Sequence, residues 1–166
     1  MKKLPEDVVE FFKRQGFVVV STLDQDGSIH NSCKGVVDIA EKGCIYLMDV
    51  YRQRTFDNLH RNESISVTAV DEHSFKGYCL KGKARELKKE NLDEALLKKW
   101  DDKVASRISQ RLIRNLRGEK GHKAHPEASL PGPEYLISME INKIIDLAPA
   151  HLKTKDNNQN KEDDNG

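Results

Sequence analysis

Residues 44–62 read CIYLMDVYRQRTFDNLHRN, and the order of features along them decides the fold. The stretch begins as a buried strand, CIYLMDV, crosses a short polar turn holding Arg52 and Arg54, and enters a helix at Thr55. A strand, a basic turn and a hydroxyl at a helix start form a natural phosphate clamp. The helix N-terminus offers unpaired N–H groups with partial positive charge, and arginine adds charged, forked donors. A plainer reading stands beside it, with Thr55 as an N-cap and the arginines as a solvated face.

Upstream, Leu4, Val8, Val9, Phe11 and Phe12 repeat at helical spacing after Pro5, and Gly16 can close that helix. From Phe17 the period changes. FVVVSTL reads as a strand, DQDG as a hairpin turn and SIHNSCKGVVDI as the returning strand. Gly35 suggests a bulge or a close approach of backbone to a ligand. Glu41, Lys42 and Gly43 make a second turn, so the first three strands form an antiparallel meander. Downstream of the Thr55 helix come SISVTAV and the long strand FKGYCLKGKARELK, whose Gly77 and Gly82 mark bends of the kind a barrel needs at its corners. Many antiparallel strands in a short span, with one helix inserted, point to a small closed or partly split barrel.

Beyond the barrel strands, Leu92, Leu96, Leu97, Trp100 and Val104 give one helix, and Ile108, Leu112, Ile113 and Leu116 a second, with Gly118 past its end. Residues 118–133 lack periodicity and read as loop, YLISMEINKIIDL as the last strand, and the tail KTKDNNQNKEDDNG as disordered. At 166 residues, with 33% charged and 37% hydrophobic residues, the chain is one ordinary domain with a real core. Its net charge of +1 gives no global pull toward nucleic acid or membrane. No apolar run approaches a spanning helix, and MKKLPEDVVEFF lacks a signal-peptide core, so the expected location is the cytoplasm. Cys33, Cys44 and Cys79 form no CxxC pair and read as buried free thiols.

With its elements in this order, the chain resembles the pyridoxamine 5′-phosphate oxidase-like family of flavin-binding split β-barrels. The segments that carry the likeness are STLDQDGSIHNSCKGVV, GCIYLMD, RQRTFDNLHRNESISV and YCLKGKARE. It covers about residues 8–87 and, more loosely, 135–147. It implies a mainly β fold with helices (α+β), an antiparallel split β-barrel with a short crossover helix and a helical insertion at about residues 90–132. One domain then spans residues 1–152, followed by the polar tail 153–166.

The same likeness implies a homodimer that holds FMN in a groove at the subunit interface. Arg54 and Thr55 match the positions that grip the FMN phosphate, and Asn58, one helical turn on, assists. Ser32, Cys33 and Lys34 fall on the strand that runs along the flavin ring and ribityl chain, while Met48 and Asp49 close the facing strand. Lys34 near the ring would stabilise negative charge on reduced flavin. Each has an ordinary alternative: Ser32 a strand residue, Cys33 a core thiol, Lys34 a surface charge and Met48 plain packing. FAD, a deazaflavin and haem are the alternative cofactors.

The sequence departs from the true oxidase. NSCKGVV replaces its arginine-rich strand before the ring, and its paired arginine and histidine for substrate are missing where the last strand runs into Asp146, Leu147 and Ala148. The implied activity is therefore oxidoreduction of a small molecule other than pyridoxamine phosphate. Because flavin carries the hydride chemistry, no catalytic triad or dyad is needed, and no GxSxG, HExxH or P-loop is present. His122 and His125 have a spacing that fits one metal or haem iron, but they read as loop without a third ligand. Arg107, Arg111 and Arg114 form a stripe followed by Arg117, Lys120 and Lys123. It is either a solvated face or an anion-binding surface over residues 107–123, which would make the chain a non-enzymatic binding module; the low net charge argues against nucleic acid. A third reading is an electron carrier with no substrate pocket.

Overall fold

The computed structural model describes residues 3–119 and 132–153. The readings of Lys120, His122, Lys123, His125 and nearly all of the polar tail lie outside these residues. In chain order come α1 (Glu6–Arg14), β1 (Val18–Leu23), β2 (Ile29–Ala40), β3 (Cys44–Met48) and α2 (Arg54–Arg61). They are followed by β4 (Ser64–Asp71), β5 (Lys76–Lys88), α3 (Glu94–Leu116) and β6 (Tyr135–Asp146).

Among the described residues, β1 to β6 close into an antiparallel barrel in the order β1-β2-β3-β6-β5-β4, with β4 returning to β1. The expected meander of β1, β2 and β3 is present, and β6 seats between β3 and β5. Closure leaves no long edge strand with unpaired backbone groups. Alternating residues fill the interior, among them Val20, Ile45, Leu47, Val67, Leu80 and Met139, each fully buried. β5 and β6 form the longest pair, and their register slips between Lys81 and Gly82. Gly82 marks the expected bend, because a Cβ there would collide with the Glu140 carbonyl group.

Two helices plug the barrel. α1 buries Val8, Val9, Phe11 and Phe12, and Tyr78 donates to Asp7 at 2.8 Å to hold it at one end. α2 closes the opposite end, where β1 and β3 finish and β6 begins, with Leu59 in the core.

The two helices expected after β5 are one, the 23-residue α3. No glycine or proline interrupts residues 94–116, and the apolar step from Leu96 through Trp100 and Val104 continues to Ile108. Asp93 caps its start by accepting from the Leu96 N–H at 2.7 Å, and Gly118 lies beyond its end at φ 71. Trp100 packs with Val37, Met48 and Leu136 on the outside of the barrel. Gly35 is not itself the bulge, which falls between Val36 and Asp38; the Arg107 guanidinium lies against Gly35 instead. Cys44 and Cys79 are buried, but Cys33, expected in the core, is exposed. None of the helices described is long and apolar enough to cross a membrane.

Gly82→Ala should cost about 1–3 kcal/mol, the range for overpacking a closed interior, because backbone rather than a flexible side chain meets the new methyl. Denaturant unfolding measures this, and Gly35→Ala, which meets only the movable end of Arg107, should be nearly neutral in the same assay.

Candidate functional site

Along β2, side chains alternate between faces, so His30, Ser32 and Lys34 share one side. They sit opposite Thr22, Val20 and Val18 of β1, on the face turned toward the barrel interior and α2. The first turn of α2 meets this strip. Thr55 is the second residue of the helix and not its N-cap, which is Gln53, whose side chain caps nothing. The Thr55 hydroxyl is buried and lies 2.9 Å from Ser32 Oγ and 3.5 Å from His30 Nε2.

Arg54 Nη1 lies 3.6 Å from Asp24 Oδ2, and its side chain remains 67% exposed. Asn58 points inward and is fully buried. Its amide donates to Thr22 Oγ1 at 3.0 Å and Asp24 Oδ1 at 2.8 Å, and its carbonyl accepts from Arg61. Asn58 thus ties α2 to the β1–β2 hairpin and fixes Asp24 beside Arg54.

One strand step beyond Ser32, Lys34 Nζ lies 2.6 Å from Asp49 Oδ1, both side chains deeply buried at 13% and 2% exposure. The other Asp49 oxygen accepts from the Tyr135 hydroxyl at 2.7 Å. Burial first, and then the hydrogen bond to Asp49, push the Tyr135 phenol well above its ordinary value. It therefore stays protonated and donates to Asp49 at all ordinary pH.

The basic turn splits. Arg52, with φ at 29, sends its guanidinium away from Arg54 to lie 5.2 Å over the Phe56 ring and 5.0 Å over the Tyr135 ring. Glu86 holds it there at 3.3 Å. It is a packing residue on the far side of α2.

Of the residues singled out from sequence, Ser32, Lys34, Asp49, Arg54, Thr55 and Asn58 gather around the start of α2 and the neighbouring strand ends. Cys33 points to the opposite, outer face of β2, across from Val19. Met48 is buried under α3 with Trp100. Sequence reasoning missed His30, which the alternation with Ser32 and Lys34 could have supplied. It also missed Tyr135, which no local pattern links to Asp49. Among the described residues, no three His, Cys, Asp or Glu side chains gather to hold a metal ion.

Asp49→Ala leaves the Lys34 ammonium buried without its carboxylate and should cost about 3–5 kcal/mol of folding stability. Tyr135→Phe removes one donor but leaves the ion pair, so about 1–3 kcal/mol is expected. Denaturant titration ranks the two, and an equal or reversed order would refute the arrangement described.

Residues 4–130 match the family model described as pyridoxamine 5′-phosphate oxidase. No curated protein matches the chain. Among solved structures, HupZ of Group A Streptococcus is similar with a TM-score of 0.59 and 14% identity, covering 87% of this chain and 94% of its own. A protein of Clostridium acetobutylicum related to general stress protein 26, of the pyridoxinephosphate oxidase family, has a TM-score of 0.56 and 16% identity over 86% and 92% of the two chains. An F420 reductase has a TM-score of 0.52 and 10% identity over 86% and 98%. At these identities the likeness to each is one of fold. With the family model covering most of the sequence and a closed six-strand barrel beneath it, the chain belongs to the pyridoxamine 5′-phosphate oxidase family.

Proposed function

We propose that the chain binds FMN as a homodimer and is a cytoplasmic flavin-dependent oxidoreductase acting on a small molecule other than pyridoxamine phosphate. The observation that carries this reading is the polar strip on β2 that ends at the uncapped start of α2. The first-turn N–H groups of α2 have no side-chain cap, and Arg54, Thr55, Ser32 and His30 surround them. Amide donors, hydroxyls and one exposed guanidinium are the chemistry a phosphate monoester requires. The donor set therefore fits the phosphate of FMN. Lys34 stands two strand positions past Ser32, about 6–7 Å farther along.

When bound, the flavin supplies hydride or electron transfer. The chain supplies binding and orientation. Arg54 gives the mobile charge, since its contact with Asp24 is long and exposed. Thr55 and Ser32 offer hydroxyl donors that already lie in contact, so little ordering remains when an anion arrives. Asp49 fixes the Lys34 ammonium, and protonated Tyr135 fixes Asp49. A cation so held keeps its place as charge develops nearby.

The departure from the true oxidase at NSCKGVV and at Asp146, Leu147 and Ala148 supports a different substrate. The described cysteines are all free thiols, in keeping with a reducing compartment. The exposed Phe17, Val19, Leu23 and Ile29 support a second copy packed on the barrel.

The test is a visible absorption spectrum of the purified chain before and after incubation with FMN and removal of the excess. Retained flavin bands are expected, and Arg54→Ala should weaken FMN binding by about 1.5–3 kcal/mol. A chain that stays colourless and refuses FMN overturns the reading, and deazaflavin and haem are then tried in the same assay. Reduction by a nicotinamide donor followed by turnover of quinones or nitro compounds is expected of the enzyme. A reduced flavin that passes electrons only to another protein would make the chain a carrier.

A further inference from the structure

α2 has a second side, turned away from Ser32 and the polar strip. There Phe56, Leu59 and His60 of α2 face Ala84 and Glu86 of β5 and Tyr135 of β6 around a cavity of about 220 Å³. An apolar cavity of about 150 Å³ takes one benzene ring, so this one has room for a single ring with a small substituent.

Glu86 is the unexpected wall. Side chains alternate along β5, so Glu86 shares the inward side with buried Ala84, and the register sets it opposite buried Ile137. Its side chain is only 14% exposed. A carboxylate so placed needs close charge-assisted donors, ordinarily at about 2.7–2.9 Å. Its two neighbours both stand farther off. Arg52 Nη2 lies 3.3 Å from one oxygen, and His60 Nε2 lies 3.6 Å from the other. A largely buried acceptor is thus served by its own chain only at long range.

The aromatic wall shows which kind of donor fits. The Arg52 guanidinium, a planar cation, lies 5.2 Å over the Phe56 ring and 5.0 Å over the Tyr135 ring. Both distances fall within the roughly 6 Å over which a ring face attracts a cation. The chain seats its own cation there only through a positive φ at a residue other than glycine, a strained backbone state. The cavity offers an unattached planar cation the same rings and the same carboxylate without that strain. Exposed Glu63 adds a second carboxylate at the border, 3.7 Å from Lys83. Arg85, also at the border, belongs to the alternate side of β5, opposite Ser138.

We propose that this cavity is a second small-molecule site, separate from the anion site, and that it takes a planar organic cation: one ring bearing an amidinium or guanidinium group. The cationic group donates a fork of hydrogen bonds to Glu86. The ring lies against Phe56 and Tyr135, and Arg52 competes with the ligand for both. The cavity lies across α2 from Thr55 and Ser32, so the proposal does not rest on the flavin reading.

Benzamidine titrated into the isotope-labelled full chain tests this, with amide NMR shifts as the readout and neutral benzamide as the control. Saturable shifts are expected at Phe56, His60, Glu86 and Tyr135, with a dissociation constant of about 0.1–1 mM for so small a ligand. Benzamide should bind at least roughly tenfold more weakly, because it lacks the charge that Glu86 answers. Glu86→Gln should weaken benzamidine by a similar factor while amide shifts distant from α2 stay in place. Arg52→Gly accepts the positive φ without strain and removes the competing guanidinium, so it should tighten binding severalfold. That gain separates a ligand site from a structural pair, since a carboxylate serving only to hold Arg52 would give the glycine variant no advantage. The proposal is overturned by a failure to saturate at about 10 mM, by equal binding of benzamide, by a Glu86→Gln chain of unchanged affinity, or by an Arg52→Gly chain that binds no tighter than wild type.

Discussion

The seating of β6 between β3 and β5 is the constraint on which the rest of the structure depends. Without it the sheet would end in two open edges and expose the face that Ile137, Met139 and Ile141 bury. The partnership is distant in sequence, since β6 starts at Tyr135 while β3 ends at Met48. Its register brings Leu136 opposite Met48, which places Tyr135 beside Asp49 at the barrel mouth. Closing the barrel and assembling the Lys34–Asp49–Tyr135 group are therefore one event. The carboxylate reaches its second donor only when the last strand is in register.

α2 then serves two surfaces at once. Its inward side carries Thr55, Asn58 and Leu59, joined to the polar strip, the hairpin and the core. Its other side carries Phe56 and His60, whose rings lie 4.2 Å apart, with Tyr135 edge-on to Phe56 at 5.3 Å. Arg52 lies over this aromatic side and is drawn there by Glu86, which explains why the two arginines of one short turn diverge. The positive φ of Arg52 is the backbone change that allows it, a conformation most residues adopt only when surrounding contacts require it.

Much of the barrel was legible because its signals are local. The Asp24–Gly27 turn, the β-branched run after Phe17 and the bend at Gly82 each follow from chemistry within a few residues. The resemblance singles out the run Ser32, Cys33 and Lys34 without separating its faces; strand alternation is what puts Ser32 and Lys34 on the side of Thr55 and Cys33 on the other. What escaped depends on distant partners. Tyr135 has no sequence mark that ties it to Asp49, and nothing near Arg52 distinguishes it from Arg54 until Glu86 arrives from β5. The single α3 was in fact legible, because the apolar step of four runs unbroken from Leu96 through Val104 and Ile108 to Leu116 and no residue near Ser106 stops a helix. Residue type suggests the core for Cys33 and the resemblance the flavin strand, whereas the register turns it to the outer face, opposite to Ser32 and Lys34.

The distribution of charge around the site explains where an anion can enter. Lys34 is cancelled by Asp49 at 2.6 Å in a buried pair, and Arg52 by Glu86 at 3.3 Å. To draw Lys34 onto a phosphate, an anion would have to pull it from a buried carboxylate left with only the Tyr135 hydroxyl, which costs several kcal/mol, and Arg52 would have to leave Glu86 and both aromatic rings. Arg54 is different. Its carboxylate lies at 3.6 Å, its side chain is mostly in water, and Asp24 keeps the Asn58 amide as a donor when the arginine turns away. An anion can therefore recruit Arg54 without stranding Asp24. The Lys34–Asp49 pair leaves the middle of the strip near neutral overall, with the ammonium fixed in place. One strand face thus grades from an anion-receptive end to a neutral, fixed-dipole end, with the gradient set by which carboxylate each cation already holds.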